Sequence, residues 1–240
     1  MNKIRLGNYY LGLLMAIPVF TNAQNLDKIL EAHFVAMGQE QIMSLRSIFM
    51  EVREVDGFGG GKRYQITKKS PNKIRIEGQW QGQVFINAYD GEKAWTIAPW
   101  TGVHIAQWMT DRERDLLVMS VGIGSPLFDY KGLGNKLELI GSESIQGDNH
   151  YVIRSTMPSG FYVDYLLDKK DHLIHLARIY REDDVNKVEK EIIFKNYKNL
   201  GGFSIPFGFE NRIGRSGSDV IVDNIVFGQG APSSIFVKPD

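Results

Sequence analysis

The sequence has no cysteine. Disulfides, thiolate nucleophiles, Cys-ligated zinc and iron–sulfur clusters are therefore excluded, as is a lipid anchor on a cysteine that follows a leader. Nor is there an excess of charge of either sign, since 28 Lys and Arg face 28 Asp and Glu. Binding to phosphates needs a basic surplus, so nucleic acid is not expected as a partner. The apolar run Leu11 to Phe20 is too short to span a bilayer. It follows a basic Lys3 and Arg5 and precedes the small-residue site Thr21-Asn22-Ala23. That order predicts a signal peptide over residues 1–23, cleaved after Ala23, and a soluble product outside the cytoplasm. Losing Lys3 and Arg5 leaves the chain near neutral, and the remaining length over 24–240 suits one β-rich domain.

Catalytic patterns are also missing. No G-x-S-x-G elbow occurs. Gly57-Phe-Gly-Gly-Gly61-Lys62 superficially resembles a phosphate loop, but Asp56 and Arg63 occupy positions where that loop needs Gly and Ser or Thr. His172 and His175 lie near Asp168 and Asp171. On a strand, positions i and i+3 point to opposite faces, so these histidines are not expected to share an ion. The stretch Asp168 to Asp171 reads as a polar hairpin turn, and neither a metal nor another cofactor is expected. Asp183-Asp184 reads as a solvated loop. His33 falls on an apolar helix face, and His104 and His150 have no evident partner in the sequence.

What is present is periodicity. Leu26, Ile29, Leu30, His33, Phe34 and Met37 recur at helical spacing, with Asn25 as cap and Gly38 as stop. Ile42 to Leu45 adds a short turn. From Ile48 the period becomes two, and strands follow at Lys62–Lys68, Lys73–Glu77, Val84–Tyr89 and Ala94–Ala98. Asp90-Gly91 predicts a tight hairpin. Thr110 with Glu113 fits a capping box opening a helix on which Leu116, Leu117 and Met119 are apolar, and Gly122, Gly124 and Pro126 end it. Seven more strands run from Lys136 to Phe227 with short connectors, so the chain reads as an antiparallel meander.

Along most strands an apolar face alternates with a wet one. Phe161, Val163, Tyr165 and Leu167 oppose Tyr162 and Asp164, for example. The expected fold is mainly β: about eleven strands in one large curved sheet, with two helices covering its apolar concave face. Two short helices leave apolar volume uncovered, and such volume is a binding cavity. Met50, Val52, Ile74, Ile76, Val84, Ile86, Trp95 and Ile97 are candidate lining residues, joined by Leu116, Leu117 and Met119 from the covering helix. Trp80, Trp95, Trp100 and Trp108 cluster near the expected cavity or its rim.

The order of motifs resembles the LolA-like outer-membrane lipoprotein-sorting family. The leader and amphipathic helix precede Ser70-Pro-Asn-Lys-Ile-Arg-Ile76 and Tyr89-Asp-Gly-Glu-Lys-Ala-Trp95, then Ala98-Pro-Trp-Thr-Gly102. Pro126-Leu-Phe-Asp-Tyr130, Lys136-Leu-Glu-Leu-Ile-Gly141 and Ser233-Ser-Ile-Phe-Val-Lys-Pro239 are similar to extended relatives of Bacteroidetes type. The resemblance implies a half-open antiparallel β-barrel whose helices form a lid over an apolar cavity. It also implies a non-enzymatic periplasmic carrier of acylated lipoproteins, acting between membrane-bound donor and acceptor proteins, and we expect a monomer. The LolA carriers have an arginine before the Pro-Asn that ties the lid shut. Here that position is Ser70, with Lys68, Lys69, Lys73 and Arg75 nearby. Binding of another lipid or apolar molecule, and a scaffold surface over a filled core, are the alternatives to a carrier.

Overall fold

The chain runs as two antiparallel meanders that meet along its first and last strands. The computed structural model describes residues 20–57, 60–181, 184, 186–228 and 230–239. Most of the predicted leader lies outside the described residues, as do two residues of the glycine loop (58 and 59) and three around Asp184 (182, 183 and 185).

The first meander comprises β1 (Ser47–Asp56), β2 (Gly61–Lys69), β3 (Lys73–Trp80), β4 (Gln83–Tyr89), β5 (Ala94–Ala98) and β6 (Val103–Trp108). The second comprises β7 (Lys136–Ile145), β8 (Asp148–Thr156), β9 (Tyr162–Asp168), β10 (Ile174–Tyr180), β11 (Val188–Leu200), β12 (Phe203–Ile213) and β13 (Ser216–Phe227). All thirteen form one antiparallel sheet, ordered β6-β5-β4-β3-β2-β1-β13-β12-β11-β10-β9-β8-β7. The sheet does not close on itself, which makes it a half-open barrel. The helices α1 (Phe20–Met37), α2 (Gln39–Met43) and α3 (Asp111–Val118) lie on one face, here called the inner face.

The expected architecture is present, with corrections of detail. There are thirteen described strands rather than about eleven. β6 escaped the sequence reading because it is a short edge strand that leaves Ile105 and Trp108 largely exposed, so no buried alternation marks it. α1 begins at Phe20 rather than at an Asn25 cap, because no breaker separates the two positions. The Asp90-Gly91 hairpin is a four-residue loop rather than a two-residue turn. Asp90 Oδ1 accepts from the backbone N–H of Glu92 and Lys93 at 2.9 and 2.8 Å, and an Asx-type turn replaces the primed one.

Gly38 stops α1 with φ +68°, and a Cβ there would stand 1.9 Å from Gly202 O. Only glycine allows the α1–α2 joint to press onto the β11–β12 turn. The Thr110 capping box is formed, with Thr110 N donating to Glu113 Oε2 at 2.8 Å. Among the described residues, no helix is long and apolar enough to cross a membrane.

Candidate functional site

The cross-strand registers sort side chains onto the two faces of the sheet. In the first meander, Met50 pairs with Ile66, Ile66 with Ile76, and Ile74 with Tyr89, all on the inner face. Val52, Val220 and Val222 are buried together there. Against them pack Met50, Tyr64, Ile66, Phe207, Phe209 and Ile225, all half-buried. No described helix residue belongs to this cluster. The helices instead cover its flanks. Leu117 and Val121 bury Ile74, Tyr89 and Ala94 on one side. On the other, Ile29 and Leu30 of α1 bury Ile153, Tyr165, Leu167 and Ala177. The centre of the inner face is thus an apolar strip across β2, β1, β13 and β12, with helices on either side.

The structure does not bring all predicted lining residues to that strip. Met50, Val52, Ile74 and Ile76 occupy the inner face. Val84, Ile86, Trp95 and Ile97 have the opposite parity and lie on the outer face, where Ile86, Ala88 and Trp95 form a separate core. The C-terminal turn Ser233–Phe236 covers this core. Trp95 Nε1 donates to Phe236 O at 2.8 Å, Arg75 donates to Ile235 O at 2.7 Å, and Phe236 is fully buried. The four tryptophans divide accordingly. Trp80 and Trp100 contact each other beside Phe85 at the inner rim, whereas Trp95 pairs with Trp108 outside. Leu117 of α3 is buried in the flank cluster, while Leu116 of α3 and Met119 just after it pack toward the α1 side, so the helix bridges the two flanks.

The segment after α3, residues 119–126, is held by three polar side chains from three elements. Lys68 on β2 donates to Gly122 O at 2.9 Å. Burial of its ammonium lowers its pKa to about 8. Gln39 on α2 accepts from Ser125 N at 3.2 Å and donates to Ile123 O at 3.4 Å. His33 on α1 is fully buried. Its Nδ1–H donates to His172 O at 2.6 Å, and its Nε2 accepts from Ser125 Oγ at 2.6 Å. A carbonyl can only accept, so the geometry selects the neutral Nδ1–H tautomer. Desolvation lowers the His33 pKa to about 4, in agreement with that neutral form.

Of the four cations near Ser70, Lys68 is the one that reaches this segment. Lys69, one residue on and therefore outward, donates to Ala231 O and Ser233 Oγ at the C-terminal turn. Lys73 donates to Asp90 O, and Arg75 to Ile235 O.

A cleft of about 310 Å³ opens where the held segment meets α2 and the Ser70-Pro71-Asn72 turn. Its walls include Ile42, Leu45, Val118, Met119 and Ile123. A second, of about 450 Å³, lies between α1, α2 and Tyr130. Both run along helix margins, and Met119 is the one predicted lining residue that borders either. Gln39 and Ser125 carry no sequence motif. Only His33, a titratable group on an apolar stripe, signals that something polar must meet it in the interior.

No protein-family model matches the chain, and no curated protein matches it. Solved structures do. A LolA superfamily protein from Nitrosomonas europaea superposes with a TM-score of 0.63 at 16% identity, over 91% of this chain and 98% of that one. The fold is LolA-like. A DUF1329 family protein from Desulfovibrio piger aligns with a TM-score of 0.61 at 13% identity, over 87% of this chain and 97% of that one. A domain described as an outer membrane lipoprotein-sorting protein from Vibrio parahaemolyticus aligns with a TM-score of 0.57 at 12% identity, over 85% and 97%. At these identities the likeness establishes a LolA-like architecture, and the chemistry of the site has to be argued from its own residues.

Proposed function

We propose that the protein is a periplasmic carrier that shields the acyl chains of lipoproteins on the inner face of its half-open barrel and delivers them toward the outer membrane. The observation that carries this reading is the half-buried apolar strip formed by Met50, Tyr64, Ile66, Phe207, Phe209 and Ile225 between helical flanks. Each methylene buried there is favoured over water by about 0.8 kcal/mol, enough to solubilise a chain that water would reject. A 310 Å³ cleft sits at the low end of small-ligand sites, so cargo with more than one acyl chain enters only when the lid moves. The lid is α3 with residues 119–126, and its clasp is Lys68, Gln39 and His33. Opening it consumes part of the gross binding energy, which keeps transfer reversible.

In this reading residues 1–23 direct export and are removed after Ala23, and residues 24–240 form a single carrier domain working as a monomer. Membrane-bound donor and acceptor proteins supply and receive the cargo, and no catalytic step or cofactor is required. The inner-face residues Met50, Val52, Ile74 and Ile76, with Leu116, Leu117 and Met119 of the lid, contact acyl chains. The outer-face residues Val84, Ile86, Trp95 and Ile97 support the sheet.

Delipidated protein titrated with a fluorescent acyl probe and with a purified lipoprotein tests the proposal. Saturable uptake of both is expected, and uptake of neither would overturn it. Uptake of the probe alone would favour the second reading, a binding protein for a free lipid, which rests on the same strip. Native mass spectrometry of protein from its own host then identifies the lipid.

A further inference from the structure

Three side chains from three neighbouring strands converge on the outer face, across the sheet from the lid. His150 on β8 stands directly opposite Asp168 on β9. His175 joins them because the β9–β10 ladder slips by one residue between Ile174 and Leu176. Ile174 and Ala177 face inward with Leu167 and Tyr165, while Leu176 faces outward with Val152 and Leu166. The extra residue at this β-bulge is His175, turned to the same side as Leu176. His150 Nε2 lies 3.4 Å from His175 Nδ1 and 3.9 Å from Asp168 Oδ2. One ligand atom from each residue lies within 4.8 Å of the other two.

The cluster is poorly satisfied by protein groups alone. His150 and Asp168 are each 3% exposed, so little solvent reaches either group. Two ring nitrogens facing each other at 3.4 Å make at best one long hydrogen bond. Asp168 Oδ1 accepts from the backbone N–H of Lys170 and Asp171, which fixes the carboxylate and leaves Oδ2 turned to the imidazoles. Asp171 Oδ2 stands 3.2 Å from His175 Nε2 and orients that ring with Nδ1 toward the cluster. A carboxylate behind a ligating imidazole is the usual outer support of a metal site.

We propose that His150 Nε2, Asp168 Oδ2 and His175 Nδ1 bind one divalent first-row transition-metal cation, with water completing the coordination. Two imidazoles and one carboxylate suit zinc and its neighbours in the series, and not calcium or magnesium, which take oxygen ligands. The ion ties the β9–β10 hairpin to β8, independently of whether the inner face carries lipid. The sequence argument weighed only a His172–His175 pair, and His172 lies in the connector before β10. The ligating partner of His175 is His150, 25 residues away in sequence and two strands away in the sheet.

Untagged, chelator-stripped protein titrated with Zn²⁺ in a calorimeter, and with Co²⁺ followed by visible absorption, tests the site. We expect one ion per chain, visible Co²⁺ bands that report nitrogen and oxygen ligation, and a higher melting temperature with Zn²⁺. His175→Ala and Asp168→Asn each weaken Zn²⁺ binding by at least tenfold, and His104→Ala, on the exposed edge strand, does not. His175 is partly exposed, so His175→Ala folds and is the deciding variant if Asp168→Asn does not. Absence of stoichiometric binding, or binding that His175→Ala leaves unchanged, would overturn the proposal.

Discussion

The ammonium of Lys68 and the carbonyl of Gly122 meet across 2.9 Å, joining β2 to the segment that follows α3. A hydrogen bond from a charged donor contributes about 1.5–3 kcal/mol, and the cost of desolvating the ammonium opposes it. The depressed pKa of Lys68 shows that desolvation outweighs that bond, so Lys68→Met leaves stability at neutral pH unchanged or raised while releasing the segment. Under the carrier proposal the acyl-probe affinity rises by about tenfold, the equivalent of about 1.4 kcal/mol no longer spent on opening. A probe titration of both proteins measures it.

Lys68 also gives a pH signature. In the folded chain it loses its proton near pH 8, and in the unfolded chain near the ordinary lysine value of 10.5. Between those values the unfolded state binds more protons, so stability contributed by this group rises with pH. Urea unfolding of wild type and Lys68→Met from pH 7.5 to 10.5 should show a rise in wild type that the variant lacks.

His33 produces acid sensitivity. Its pKa is about 4 when folded, against the ordinary histidine value of 6.5 when unfolded. The unfolded state takes up the proton first, so stability is intact above about pH 6.5 and falls as pH drops toward 4. The loss is about 3 kcal/mol. Denaturant midpoints across this range check it, and His33→Gln should flatten the slope between pH 6.5 and 4.

The two faces are separable by substitution. Phe209→Asp places a charge in the half-buried inner strip and should weaken acyl-probe binding by tenfold or more with the fold retained. Trp95→Phe acts on the outer face, where it removes the hydrogen bond to Phe236 O. It should cost about 1 kcal/mol of stability and leave probe affinity unchanged. Probe titration and thermal melting of both variants distinguish the faces.

The capping box at Thr110 sets the start of α3. Thr110→Ala should destabilise the protein by about 1 kcal/mol, read as a lower melting temperature.

Strand periodicity made most of this fold readable. Positions 48, 50 and 52, or 163, 165 and 167, announce one buried face, and Thr110 with Glu113 announces a helix start. The outer-face core was not readable, because Ile86, Trp95 and Ile97 look as apolar as Ile74 and Ile76. Parity assigns a side chain to one face or the other without saying which face bears the helices. Lys68 and Lys69 show the same limit, since one step of parity sends the first to the segment after α3 and the second to the C-terminal turn. The clasp was hidden because it joins side chains 54 to 92 residues distant from their partners. The nearness of His175 to His150 was not legible because a bulge, invisible in the pattern of a single strand, turns it to that side.

The pairing of β1 with β13 has a consequence for how the molecule is made. Six strands on one side and seven on the other are short-range hairpin ladders that can zip locally. The seam that unites them is formed by strands separated by almost the entire sheet-forming sequence. A nascent chain stopped before Ser216 would own two unconnected ribbons and no shared hollow. The apolar inner side of the sheet is therefore assembled only once the last strand arrives.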